Sequence, residues 1–153
     1  MYQSILVPFD NSDHARNALA QAAMIARSCG AKVTVLFVSE LPDFTDPGFA
    51  VAARMAGVTH MDESELAQAQ VDFRVQQEEK LAKDTAEIVG EDVQVEYRVK
   101  AGKPHDTVVD LADKGEFDLI VMGCRGLGAL RGALGSVSFA VARSVSIPVM
   151  LVK

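Results

Sequence analysis

Residues 123–138, GCRGLGALRGALGSVS, put five glycines between an apolar run, Asp118–Met122, and a helical pattern that opens at Ser136. Glycine permits backbone angles closed to other residues and lets bare N–H groups come close to a ligand. A strand, a glycine-rich turn and a helix N-terminus together make an anion site, because unpaired amides and the helix dipole both favour negative charge. The chemistry on offer is phosphate binding. Its candidate residues are Met122, Gly123, Arg125, Gly126, Gly135, Ser136, Val137 and Ser138. The hydroxyls of Ser136 and Ser138 can join the backbone amides, although Ser136 would serve equally well as a plain helix cap.

The elements that must position this loop follow from the hydrophobic pattern. Ser4–Pro8 reads as a buried strand, Ala15–Cys29 as an alanine-rich helix capped at Asn11-Ser12 and closed by Gly30, and Lys32–Val38 as a second strand. Pro42, Pro47, Gly48 and Gly57 break up Glu40–His60, which reads as a long mobile connection with a turn of helix near Ala50–Met55. Asp62 with Glu65 forms a capping-box pattern, Met61 with Leu66 a hydrophobic staple, and the helix they open ends at Gly90. A third strand over Val93–Val99 alternates as a sheet edge does, and a helix runs from Pro104 to about Lys114. The fourth strand is Asp118–Met122, the last helix spans about Ser136–Val145, and Pro148–Val152 is the closing strand.

Strand and helix thus alternate from end to end, which implies one α/β domain over residues 1–153: a doubly wound, five-stranded parallel sheet of order 3-2-1-4-5 with helices on both faces. That order reverses between strands 1 and 4, and ligands in such sheets bind beyond the carboxyl ends of the strands at the reversal. Pro8, Phe9 and Asp10 therefore share a crevice with the glycine loop. Asp10 could accept hydrogen bonds from ribose hydroxyls or stand near a divalent ion, Mg²⁺ or Mn²⁺, that bridges phosphates; as a helix-start charge it would serve only the dipole. Backbone groups at Val38-Ser39, the end of strand 2, could read an adenine edge.

Familiar phosphate motifs fail. Gly135-Ser136 has no lysine for a Walker loop, and the first turn, PFDNSDH, has no glycine for a dinucleotide fingerprint. Within the late loop Arg131 stands where the third glycine would be. No Ser/His/Asp set or carboxylate pair converges on the loop, and His14, His60 and His105 read as scattered surface residues.

The bulk properties set further bounds. A net charge of −6 argues against nucleic acid as the main partner, and no apolar run is long enough for a membrane span. The opening MYQSILVPFD reads as a strand and not as a secretion signal, so a cytoplasmic location is expected. Cys29 and Cys124 suit a reducing compartment, Cys29 within its helix and Cys124 as a small loop filler.

Over its full length the chain resembles the universal stress protein family. ILVPFDNSDHARNAL resembles that family's first strand and acidic turn, AGKPHDTVVDLADKGEFDLIVMGCRGLGALRGALGSVS its signature half, and SIPVMLVK its closing strand. The resemblance implies a homodimer joined through the last strands, here Pro148–Val152, and, in one branch, ATP binding with a regulatory role in stress. It gives Asp10 the ribose contact, Val38 the backbone contact to adenine, and Gly123, Gly126, Gly135 and Ser136 the phosphate loop, with Val137 and Ser138 at the helix start. The family pattern sets nine residues between the second glycine and the Gly-Ser pair; here eight, Leu127–Leu134, separate Gly126 from Gly135. An apolar, uncharged closing strand at a sheet edge is an independent reason to expect self-pairing.

Overall fold

The periodic pattern of the sequence becomes a regular alternation in space. The computed structural model describes residues 1–39, 55, 63–126 and 134–153. Their order is β1 (Ser4–Pro8), α1 (Asp13–Cys29), β2 (Lys32–Ser39), α2 (Glu63–Val89), β3 (Val95–Ala101), α3 (Pro104–Asp113), β4 (Leu119–Gly123), α4 (Ser136–Ser144) and β5 (Val149–Val152). All neighbouring strands pair in parallel, in the order β3-β2-β1-β4-β5. The connection over Glu40–His60 (Met55 apart), the Asp62 capping box and Met61 staple, and Gly128, Arg131 and Gly132 of the glycine loop lie outside the described residues. Among the described residues no helix is long and apolar enough to cross a membrane.

Successive side chains of a strand point to opposite faces, and the core divides accordingly. Ile5, Val7, Val33, Val35, Leu119 and Val121 face α1 and α2, packing with Ala18, Leu19, Ala22, Leu81 and Val89. Leu6, Leu36, Ile120 and Met122 face α3 and α4, packing with Val108, Leu111 and Val141. Each such side chain contributes about 1.5–3 kcal/mol by leaving water. Alanines on the buried stripe of α1 let that helix lie close on the sheet, over β1 and β4. Ser12 caps it and Gly30, at φ 69°, closes it in the left-handed region that glycine tolerates.

Three strand starts differ from the sequence expectation: β5 begins at Val149, not Pro148, and the other two shift for identifiable reasons. β3 begins at Val95, not Val93, because the preceding turn is held elsewhere: Arg27 Nε donates to Asp92 Oδ2 at 2.8 Å, and the ladder opens only with Val33 N donating to Gln94 O at 2.9 Å. β4 begins at Leu119, not Asp118, and runs to Gly123. The Asp118 carboxylate instead accepts the N–H groups of Gln3 and Ser4, at 2.7 and 3.2 Å, and fixes the start of β1.

Candidate functional site

The crevice is built by two strand–turn–helix units that part at the reversal of strand order. On one side β1 ends at Pro8, and its neighbour Phe9 makes the last bond to β2, donating to Leu36 O at 2.8 Å. Asn11, at φ 66°, then turns the chain back. Asp10 Oδ1 accepts the Ser12 N–H at 3.1 Å and the Ser12 hydroxyl at 2.6 Å, while Ser12 Oγ accepts the Ala15 N–H at 3.2 Å as the cap of α1. The result is a carboxylate held at the head of β1 with Oδ2 turned toward Gly126, where an added Cβ would stand 2.6 Å from it.

Loss of β1 also opens β2. In a parallel ladder the N–H and C=O of one residue point the same way and alternate along the strand. Leu36 O is bonded to Phe9 on the β1 side, and Ser39 O to Gly102 N, at 2.9 Å, on the β3 side. Val38 therefore directs both backbone groups to the side that β1 has left. Among the described residues neither has a partner across that gap.

On the other side β4 leads into the glycine loop, whose ends are tied at Cys124. Gly135 N donates to Cys124 O at 2.8 Å, Ser138 Oγ donates to the same oxygen at 2.9 Å, and Cys124 N donates to Val152 O at 2.7 Å. The first bond of α4 runs from Phe139 N to Gly135 O at 2.9 Å. The amides of Ser136, Val137 and Ser138 consequently have no carbonyl within the helix. They are the donors that the dipole makes attractive to an anion.

The glycines have different tasks. At Gly123 an added Cβ would meet His14 C and Cβ at 2.9 Å and Ala15 N at 3.0 Å, so this glycine admits the start of α1 against the sheet. At Gly135 it would meet Arg125 Cα at 3.2 Å and Cys124 O at 3.3 Å, within the tie itself. Ser138 corrects the sequence expectation of a hydroxyl donor to phosphate. Its side chain is buried and its proton goes to Cys124 O and Gly135 O, both at 2.9 Å, which leaves the backbone N–H as its donor to a ligand. The exposed Ser136 keeps its hydroxyl open.

Together these walls enclose a crevice of about 530 Å³, within the range of small-molecule sites. Pro8, Phe9, Asp10, Val38, Met122, Gly123, Arg125, Gly126, Gly135, Ser136, Val137 and Ser138 all line it. Sequence reasoning missed Ala15, Leu36, Pro104, Val108 and Leu134. Leu36 was legible in principle as the partner of Pro8 in the β1–β2 register, and Pro104 as the opening residue of α3. Among the described residues Arg125 is the cation and Asp10 the carboxylate of the lining.

The histidines are more varied than expected. His14 is half-buried, its Nδ1 buried without a hydrogen-bond partner among the described residues. His105 sits outside the crevice, partly exposed, with Nδ1 2.8 Å from Asp106 Oδ1 and Nε2 3.4 Å from Ser144 Oγ. His60 lies outside the described residues. Among the described residues no group of three or more His, Cys, Asp or Glu could hold a metal ion.

The arrangement defines a doubly wound α/β protein with an open helix start and a clasped carboxylate at its switch point. The model of the universal stress protein family matches residues 1–153. The chain is 31% identical, over 156 residues and 100% of both chains, to the universal stress protein in the QAH/OAS sulfhydrylase 3′ region of Thermus aquaticus. It is similar to the solved structure of universal stress protein UspA from Lactobacillus plantarum, with a TM-score of 0.66, 27% identity and 99% and 98% of the two chains covered. It is also similar to a universal stress protein crystallised in complex with cAMP, with a TM-score of 0.62, 29% identity and 99% and 97% covered. The chain belongs to the universal stress protein family.

Proposed function

We propose that the protein binds an adenine nucleotide, ATP foremost, in the crevice between β1 and β4, and acts as a nucleotide-dependent regulator of the stress response and not as a fast enzyme. One observation carries this reading: the groups left open along the crevice follow the order of a nucleotide's parts. The Val38 N–H meets the adenine N1 acceptor and its C=O meets the N6 donor. Guanine presents the opposite polarity there and is disfavoured. Leu36, Val108 and Met122 supply the apolar wall for the base. Asp10 Oδ2 takes a ribose hydroxyl, and Arg125, the Ser136 hydroxyl and the first amides of α4 take phosphate. The similar protein crystallised with cAMP supports an adenine ligand.

Among the described residues Asp10 is the one carboxylate of the lining and is given to the ribose, so Mg²⁺ or Mn²⁺ would enter with the nucleotide, held by phosphate oxygens and water. The protein works as one domain over residues 1–153, in the cytoplasm, with neither nucleic acid nor membrane as a partner. It pairs with a second copy through Pro148–Val152, where β5 is a sheet edge with Met150 and Leu151 exposed. The eight-residue spacing between Gly126 and Gly135 favours a second reading, a nucleotide-free dimeric scaffold of the same fold; a slow ATPase is the third. Calorimetric titration with ATP, ADP, AMP and cAMP, with mass spectrometry of any ligand released on denaturation, separates the first two, and turnover that survives repurification and drops in Asp10→Ala would mark the third. Saturable binding of one adenine nucleotide per chain is expected, and heatless titrations with all four would leave the scaffold.

A further inference from the structure

The carboxylate given to ribose in this reading is not free to turn. Ser12 is buried, at 8% exposure, and its hydroxyl oxygen already accepts the Ala15 N–H of the helix start. Its single proton is therefore directed at Asp10 Oδ1, 2.6 Å away, beside the Ser12 N–H at 3.1 Å. Two donors fix Oδ1, so Oδ2 is the oxygen that faces Gly126 across the crevice, where the missing side chain leaves it room. The left-handed Asn11, braced by Arg16 Nη2 donating to its Oδ1 at 2.6 Å, holds the turn in which this geometry is possible. One hydroxyl thus does two jobs, capping α1 and aiming Asp10.

We infer that Ser12 is a positioning residue that sets the crevice's discrimination for ribose over deoxyribose by holding Asp10 Oδ2 toward the sugar. The inference rests on the adenine-nucleotide reading. Ser12→Gly separates the two jobs, because glycine at an N-cap costs little relative to serine but has no hydroxyl proton to give Asp10. The experiment titrates ATP, 2′-deoxy-ATP and 3′-deoxy-ATP into wild type, Ser12→Gly, Ser12→Ala and Ser12→Thr, with thermal unfolding of each. Wild type is expected to bind one of the deoxy analogues roughly tenfold more weakly than ATP, as loss of a charge-assisted hydrogen bond implies. In Ser12→Gly that ratio falls toward one while the unfolding midpoint stays near wild type. Ser12→Ala shows the same fall with a lower midpoint, and Ser12→Thr restores the ratio. Retention of the wild-type ratio by Ser12→Gly or Ser12→Ala overturns the role, as does a wild type that binds all three nucleotides equally. A wild type that binds none of them overturns the nucleotide reading itself, which is a different outcome.

Discussion

The two turns that close the crevice reach rigidity by opposite means. The β1–α1 turn contains no glycine and is held by side chains, with Ser12 clasping Asp10 and capping α1 while Asn11 takes the left-handed conformation. The turn from β4 to α4 is held by its backbone: Cys124 O collects the Gly135 amide and the Ser138 hydroxyl, and Cys124 N is anchored on Val152. The first turn ends by offering an acceptor, Asp10 Oδ2; the second ends by offering donors, the amides of Ser136, Val137 and Ser138. They meet at Gly126. A ligand with hydroxyls at one end and negative charge at the other fits between them. The difference also teaches that a glycine-rich turn need not devote every glycine to a ligand, since Gly123 serves the packing of α1.

The largest test of that contrast is Gly123→Val. The atoms it would strike are the backbone of His14 and Ala15, at 2.9–3.0 Å, and they cannot swing aside. A loss of about 3 kcal/mol in urea unfolding is expected; a loss under about 1 kcal/mol would return Gly123 to a purely ligand-facing role. Gly126→Ala comes next and acts on binding instead. Its contact is Asp10 Oδ2, so the carboxylate must loosen its Ser12 clasp to make room. Stability should fall by only about 1 kcal/mol, while affinity for an adenine nucleotide falls roughly tenfold by calorimetry. Ser138→Ala should cost about 1 kcal/mol, the worth of a buried hydroxyl bond, whereas Ser136→Ala should leave stability unchanged and weaken binding severalfold. Equal effects of the two serines would erase the distinction between tie and donor.

The smallest effect lies away from both turns. The Glu96 carboxyl is held down to about 2 by the Arg98 guanidinium and then by the Lys32 ammonium, both hydrogen-bonded to it. A lowered folded-state value means that this contribution is whole above the ordinary 4.5 and is lost as pH falls from there toward 2. Because the group is partly exposed, the contribution is under about 1 kcal/mol. Glu96→Gln should flatten the acid limb of stability over that interval and leave nucleotide binding untouched at pH 7. A change in affinity would show that the two regions are coupled.

The sheet order was legible because Ile5, Leu6 and Val7, and Ile120, Val121 and Met122, are continuous apolar runs separated by helical patterns, as strands buried on both faces require. Once the order was known, the switch point placed Asp10 and the glycine loop in one crevice. Individual tasks were not legible. Glycine in a sequence does not say which atoms face its missing Cβ, so the packing of Gly123, which lines the crevice, against His14 and Ala15 was not legible. The Ser138 hydroxyl read as a donor because its acceptor, Cys124 O, lies fourteen residues away in the chain. Leu36 and Val108 did not stand out in the sequence, since a residue that packs on the sheet and also walls a crevice carries the same apolar signature as any core residue. The shift of β3 was hidden in a long-range pair, Arg27 with Asp92.

A crystal structure grown with saturating ATP tests the central claim most directly. The account predicts adenine against the Val38 backbone, a ribose hydroxyl on Asp10 Oδ2, and phosphate at the amides of Ser136, Val137 and Ser138. Nucleotide bound elsewhere, or an ordered but empty crevice at saturating ATP, would contradict it.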